Sequence, residues 1–143
     1  MDRRLTRAQR KPRKQRGDAL VEFAMLGPIL ILVVFGILEM GRVLDAWIVV
    51  QNAAREGARA GALVSPGDPT NTAQAIAQTY LQNGLAGRIG VDVTLPAQAV
   101  QVTPSANDVQ VTTEADVRIY TPIVQSILHA QVPVRGTAVM RRQ

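Results

Sequence analysis

Cysteine is absent from this chain of 143 residues. No disulfide framework, thiolate nucleophile or cysteine-ligated metal site can be built from it. Histidine occurs once, as His129, and its nearest acidic neighbours, Glu114 and Asp116, lie more than ten residues away in sequence. One imidazole without partners makes neither a metal site nor a general base, so no metal and no cofactor are expected. Basic charge is scarce outside the N-terminus. Residues 1–17 carry eight Lys/Arg and one Asp, a net +7, whereas residues 18–143 carry eight basic and ten acidic residues, a net −2. A nucleic-acid-binding body would spread Lys and Arg over its folded surface, so no nucleic-acid partner is expected.

No motif assembles a nucleophile, a base and an oxyanion donor. Gly84-x-x-Gly87-x-x-Gly90 imitates a phosphate loop, but it follows a helical rather than a strand pattern and lacks a Gly-Lys-Ser/Thr element, so it reads as a turn. Internal repeats and low-complexity tracts are missing. The chain is not expected to be an enzyme or to take a small-molecule substrate; it is better suited to be the substrate of one.

What the chain does have is a long apolar run, Ala19 to Leu38, broken by the single acid Glu22 and preceded by the basic N-terminal stretch. Twenty helical residues cover about 30 Å, the thickness of a bilayer core. A cleaved secretory signal would be shorter and would end in a small-x-small site. Here the run flows into further helix-forming sequence, which predicts a retained anchor. Positive charge before the span places the N-terminus in the cytoplasm and the remainder outside. A lone acid within such a run costs free energy and marks a functional position. Pro28, with Gly27 and Gly36 near it, predicts a bend or local unwinding, which membrane helices tolerate.

From Gly41 to Leu63 the pattern is an amphipathic helix. Val43, Trp47, Val50, Ala54, Gly57 or Ala58, and Gly61 recur at helical spacing, with Arg42, Asp45, Asn52, Glu56 and Arg59 toward the other side. Glu56 and Arg59 are spaced to pair on the helix surface. Ala53 with Gly57, Ala54 with Ala58, and Gly57 with Gly61 are small residues four apart, a spacing that lets helices approach closely. Two readings stay open for that face: packing against another helix, or packing on this chain's own sheet.

Ser65-Pro66-Gly67-Asp68-Pro69 ends the helix. A short second helix follows, with Asn71 and Gln74 spaced as a capping box, Ile76, Ala77, Tyr80, Leu81 and Leu85 as its stripe, and Gly84 and Gly87 as its stop. Beyond it the period changes to two, at Val91, Val93 and Leu95, at Val100 and Val102, at Val109 and Val111, and at Val117 and Ile119. Pro104 to Asp108 predicts a turn, Ile123 to Leu128 a helical excursion, and Val132 to Met140 a last pair of strands. The expected class is α+β: a long N-terminal helix, transmembrane in its first half, packed on a small antiparallel sheet with one short extra helix.

The string Gly17-Asp18-Ala19-Leu20-Val21-Glu22-Phe23 is similar to a prepilin processing site, and its continuation through Gly27-Pro28, Gly41-Arg42 and Asn52-Ala53-Ala54-Arg55-Glu56-Gly57-Ala58-Arg59 resembles the TadE-like family. The resemblance covers about Gly17 to Gly61, with a weaker echo in Val139-Met140-Arg141-Arg142. These are minor pilins or pseudopilins of the tight-adherence (Flp-type) pilus machinery. The resemblance implies a pilin-like plan, with cleavage between Gly17 and Asp18 and an assembly role for Glu22 and Phe23. Glu22 would neutralise the new amine of Asp18 on a neighbouring subunit. Asp18 departs from the pattern, because its own carboxylate can compete for that amine.

The implied partners are a prepilin peptidase, the major Flp pilin and other minor pilins, the inner-membrane assembly platform, and membrane lipid. The expected layout is a cleaved basic cytoplasmic leader over 1–17, a transmembrane helix over 18–40, its amphipathic continuation over 41–64, and an extracytoplasmic α+β domain over 65–143. The expected location is the bacterial inner membrane, single-pass, with the surface pilus as a further destination. Two other readings remain: a cell-envelope anchor that never enters a pilus, and a membrane-tethered regulator acting through its basic tail.

Overall fold

A computed structural model describes residues 14–64, 67–86 and 92–142. In chain order its elements are α1 (Lys14–Ala62), α2 (Thr70–Leu85), β1 (Val93–Thr94), β2 (Val100–Pro104), β3 (Asp108–Arg118), α3 (Pro122–Leu128) and β4 (Gln131–Arg141). The class is α+β, a long N-terminal helix with a small antiparallel sheet of four strands. By its contacts the chain divides between Val34 and Phe35 into two compact units.

Up to Val34 the described chain is α1 alone. Apolar residues dominate it, and the helix holds even across the Gly27-Pro28 pair. Pro28 lies inside the helix, which continues through it. Leu20, Phe23, Ile29 and Leu30 are all exposed.

The second unit is organised by β3. One edge of β3 pairs with β4 along its whole length, from Asp108↔Arg141 to Arg118↔Gln131. The other edge is shared, β2 taking residues 109–113 and β1 residues 116–117. The turn between β2 and β3 closes with the Ser105 amide donating to the Asp108 carbonyl at 2.7 Å. Instead of a last pair of strands, the chain makes one strand of 11 residues, β4. Pro133 lies within it, which an edge strand tolerates because it need not donate outward.

Val109, Val111, Thr113, Ala115 and Val117 alternate inward along β3 and meet α1 and α2. Two contacts bring the α1 backbone down to the sheet. The buried Thr113 hydroxyl donates to the Val50 carbonyl at 2.7 Å. Opposite Thr113 lies Gly136, where a Cβ would come within 2.8 Å of Gln51 Cα and 2.9 Å of the Val50 carbonyl oxygen. This close approach explains which side of α1 turns inward: the small residues Ala46, Ala53 and Ala54, with Val49 and Val50, are buried. Trp47, expected in the stripe, is 46% exposed; an indole at that contact would hold helix and sheet apart.

α2 starts differently from the expected capping box. Asn71 lies inside the helix and its N-cap, Pro69, has no side-chain acceptor. Asp68 supplies the acceptor instead, taking the Thr70 amide at 2.9 Å and the Thr70 hydroxyl at 2.6 Å. Nor does Gly84 stop the helix, which runs on to Leu85. A Cβ at Gly84 would meet Val49 Cγ1 at 2.6 Å, so this glycine is a contact point between α1 and α2. Val91, Gly87 and Gly90 lie outside the described residues.

Two outcomes follow. Gly136→Ala must move backbone rather than a side-chain tip, and a loss of about 1–3 kcal/mol is expected by the cost of overpacking, measured by thermal unfolding of the detergent-solubilised protein. Asp68 titrates below the usual carboxylate range because the Thr70 hydroxyl and amide donate to it and Arg142 lies nearby. Its contribution is therefore complete above its ordinary pKa and is lost as pH falls through the depressed folded value. The stability difference between wild type and Asp68→Ala should close in acid; a difference independent of pH would show that the carboxylate charge is not involved.

Candidate processing and assembly site

Gly17, Asp18, Glu22 and Phe23 all lie in the early turns of α1 and are exposed. Four residues apart, Asp18 and Glu22 share one side of the helix. Gly17 is helical, with nothing within 4 Å of where a Cβ would be. A peptidase acting there must first open a helical turn. Glycine lowers that barrier, since it is about 1 kcal/mol less favourable than alanine in a helix interior.

The small-residue face lies elsewhere and is filled from within the chain. Ala53, Ala54 and Ala58 are fully buried, and Gly57 and Gly61 are buried with them. A Cβ at Gly57 would fall 2.8 Å from Ala77 Cβ and 2.9 Å from the Ala73 carbonyl oxygen, both on α2. At Gly61 it would fall 3.0 Å from Ala73 Cβ and from Val109 Cγ1. Helix–helix and helix–sheet packing meet on one face, with α2 as the second helix.

A buried acid with both carboxylate oxygens hydrogen-bonded is one that sequence reasoning passed over. Glu39 follows the apolar run directly, and its side chain is 8% exposed. One carboxylate oxygen, Oε1, accepts the Tyr120 amide at 2.9 Å, the Thr121 amide at 3.0 Å and the Thr121 hydroxyl at 3.0 Å. The other, Oε2, accepts Arg42 Nη1 at 2.5 Å. Arg42 in turn donates through Nη2 to the Arg118 carbonyl at 3.2 Å and stacks 4.6 Å from the centre of the Tyr120 ring. Expected on the solvent side of α1, Arg42 is turned inward by these partners, leaving its Nε buried without an acceptor. The available signal was the Glu-x-x-Arg spacing at the point where apolar sequence gives way to amphipathic sequence.

Among the described residues no group of three or more His, Cys, Asp or Glu could hold a metal ion. His129 is exposed and ends α3 with a positive φ of 68°.

Residues 17–59 match the family model described as TadE-like protein. The matched segment starts at Gly17 and takes in Glu22, Glu39, Arg42 and the small face as far as Arg59. TadE-like proteins are a pilus-related structural family. One helix among the described residues, α1, is long and apolar enough to cross a membrane, and its most apolar stretch is unburied. Match and helix together fit a membrane-anchored protein of a tight-adherence pilus system. Neither curated proteins nor solved structures gave a match to the chain.

Within the TadE-like segment, Glu39 is the residue whose loss is expected to cost most stability. Glu39→Ala leaves two backbone amides without their acceptor and Arg42 without its anion, a loss of about 3 kcal/mol by analogy with other partly buried pairs. Glu39→Gln, which keeps one carbonyl oxygen for the amides, should lose less. Denaturant unfolding of the two variants checks the order, and equal losses would place the effect in the Arg42 pair alone.

Proposed function

We propose that this chain is a single-pass, prepilin-like component of a tight-adherence pilus system, acting as a minor pilin or assembly factor. The supporting observation is the TadE-like match beginning at Gly17 on an exposed apolar helix that carries one acid, Glu22, in its early turns. Net charge of +7 before the span favours a cytoplasmic N-terminus, with the α+β body exported. A prepilin peptidase would cut between Gly17 and Asp18 and remove that charge. The partners of the mature protein would be the major Flp pilin, related minor pilins and the inner-membrane platform.

In this reading Glu22 is retained for pairing with the amine of Asp18 on a neighbour. Insertion scales put a central acid at about 2.5–3.5 kcal/mol, less near the interface. Replacing it should improve insertion and remove function together. A second reading, an envelope anchor that stays out of any filament, draws support from the small face, since α2 and β3 already occupy the surface that a neighbouring helix would use.

Two experiments separate these readings. Mass spectrometry of the membrane-bound protein should find a species starting at Asp18, and Gly17→Val should accumulate the full-length chain. An intact N-terminus in cells with an active prepilin peptidase would leave the anchor reading. Glu22→Leu should reach normal levels in the membrane yet fail to support piliation, with Glu22→Gln failing in the same way. Normal piliation by Glu22→Leu would remove the physical basis of the pilin reading.

A further inference from the structure

We propose that the end of the α+β unit bearing α3 lies in the membrane surface, and that a cavity between α1 and α3 takes an acyl chain of a membrane phospholipid. The proposal rests on the reading of residues 18–40 as a membrane span. Every residue it uses belongs to the unit from Phe35 onward.

That unit contains the last turn of the apolar run. Phe35, Ile37 and Leu38 are exposed on α1. Because about 20 helical residues cross the hydrocarbon core, this turn emerges at its outer boundary. At the same level a cavity of about 360 Å³ opens, walled by Gly36, Met40 and Val43 of α1, Val124 of α3, and Ile119 and Val132 beside the end of the sheet. Its lining is apolar apart from Glu39, whose two oxygens are engaged by Tyr120, Thr121 and Arg42. The cavity therefore offers no free polar group to orient a polar ligand. At Gly36 there is nothing within 4 Å of a Cβ position, so that wall is not filled by protein.

The lining residue Met40, and Tyr120 and Ile123 next in sequence to the lining residues Ile119 and Val124, have the composition of a membrane boundary. Ile123 is 57% exposed, Tyr120 51% and Met40 58%. Tyrosine, with an apolar ring and a polar tip, is enriched at that depth. A water-facing end of a domain would have little reason to present these side chains together. Continuity with the span selects a lipid chain over a soluble apolar ligand, since the cavity opens where acyl chains already are.

The absence of cysteine permits a direct test. Single spin labels are placed through Ile123→Cys, Met40→Cys, Leu30→Cys and Asn107→Cys in the full chain, reconstituted in vesicles of phosphatidylethanolamine and phosphatidylglycerol. Collision with oxygen reports lipid and collision with a nickel chelate reports water. Labels at 123 and 40 should resemble that at 30, with nickel collisions reduced severalfold relative to 107, in the turn between β2 and β3. If label 30 reads lipid while 123 and 40 read water, the proposal is overturned and the span stands. If label 30 also reads water, the span reading fails and takes the proposal with it. Spin–spin broadening at 123 that disappears on dilution with unlabelled protein would show a second copy covering this surface, which overturns the proposal as well.

Discussion

Where α1 meets the end of the sheet, the backbone donors that follow β3 must find acceptors. Glu39 meets that constraint. Its carboxylate receives the amides of Tyr120 and Thr121, where β3 has ended and α3 is about to begin, while Arg42 one turn later returns a hydrogen bond to the Arg118 carbonyl. Removing a carboxylate from water costs several kcal/mol unless it is paired and hydrogen-bonded, and here four donors converge on it. The cost of burial is thereby offset at the one position where α1, the end of β3 and the start of α3 must be held together.

Above that anchor point the packing relies on closeness rather than bulk. The core is largely Ala and Val, with Leu81 and Ile119 its largest fully buried side chains. Small side chains bury little area each, so stability has to come from many close contacts at high density. Gly57, Gly61, Gly84 and Gly136 each occupy a point where a methyl group would intrude on a neighbour. Three of them lie between α1 and α2 or on the adjoining face. The fourth brings the α1 backbone against β4.

The periodicities disclosed the class of fold and the main elements because each change of period coincides with a change of structure. Alternating Val and Thr over β3 and small residues four apart on α1 both report a buried face, whatever covers it. What stayed illegible depended on partners distant in sequence. Trp47 and Ala46 are neighbours on the same helix, and only the approach of Gly136 decides that alanine faces in. Asp68 displaced the expected Asn71 cap because chain direction after Gly67, rather than composition, sets where the helix begins. Glu39 resembled an ordinary boundary acid until Thr121, 82 positions later, was brought beside it. At Gly17 and Asp18 the helical state was not legible, since glycine followed by aspartate is as compatible with an extended segment.

β4 follows every other element in the chain, yet it occupies one whole edge of β3 and carries the glycine on which α1 rests. For a chain made from its N-terminus, this order has a kinetic meaning. Until residues 131–141 arrive, β3 has an open edge and the valine and alanine face of α1 has no complete cover. The contacts made last span large separations, such as Gln51 with the Thr137 carbonyl and Arg142 with the Val64 and Gly67 carbonyls, and closing loops of that length is slow compared with local helix formation. Folding of this unit is thus tied to completion of the chain, and a chain interrupted before β4 would keep an unpaired strand edge.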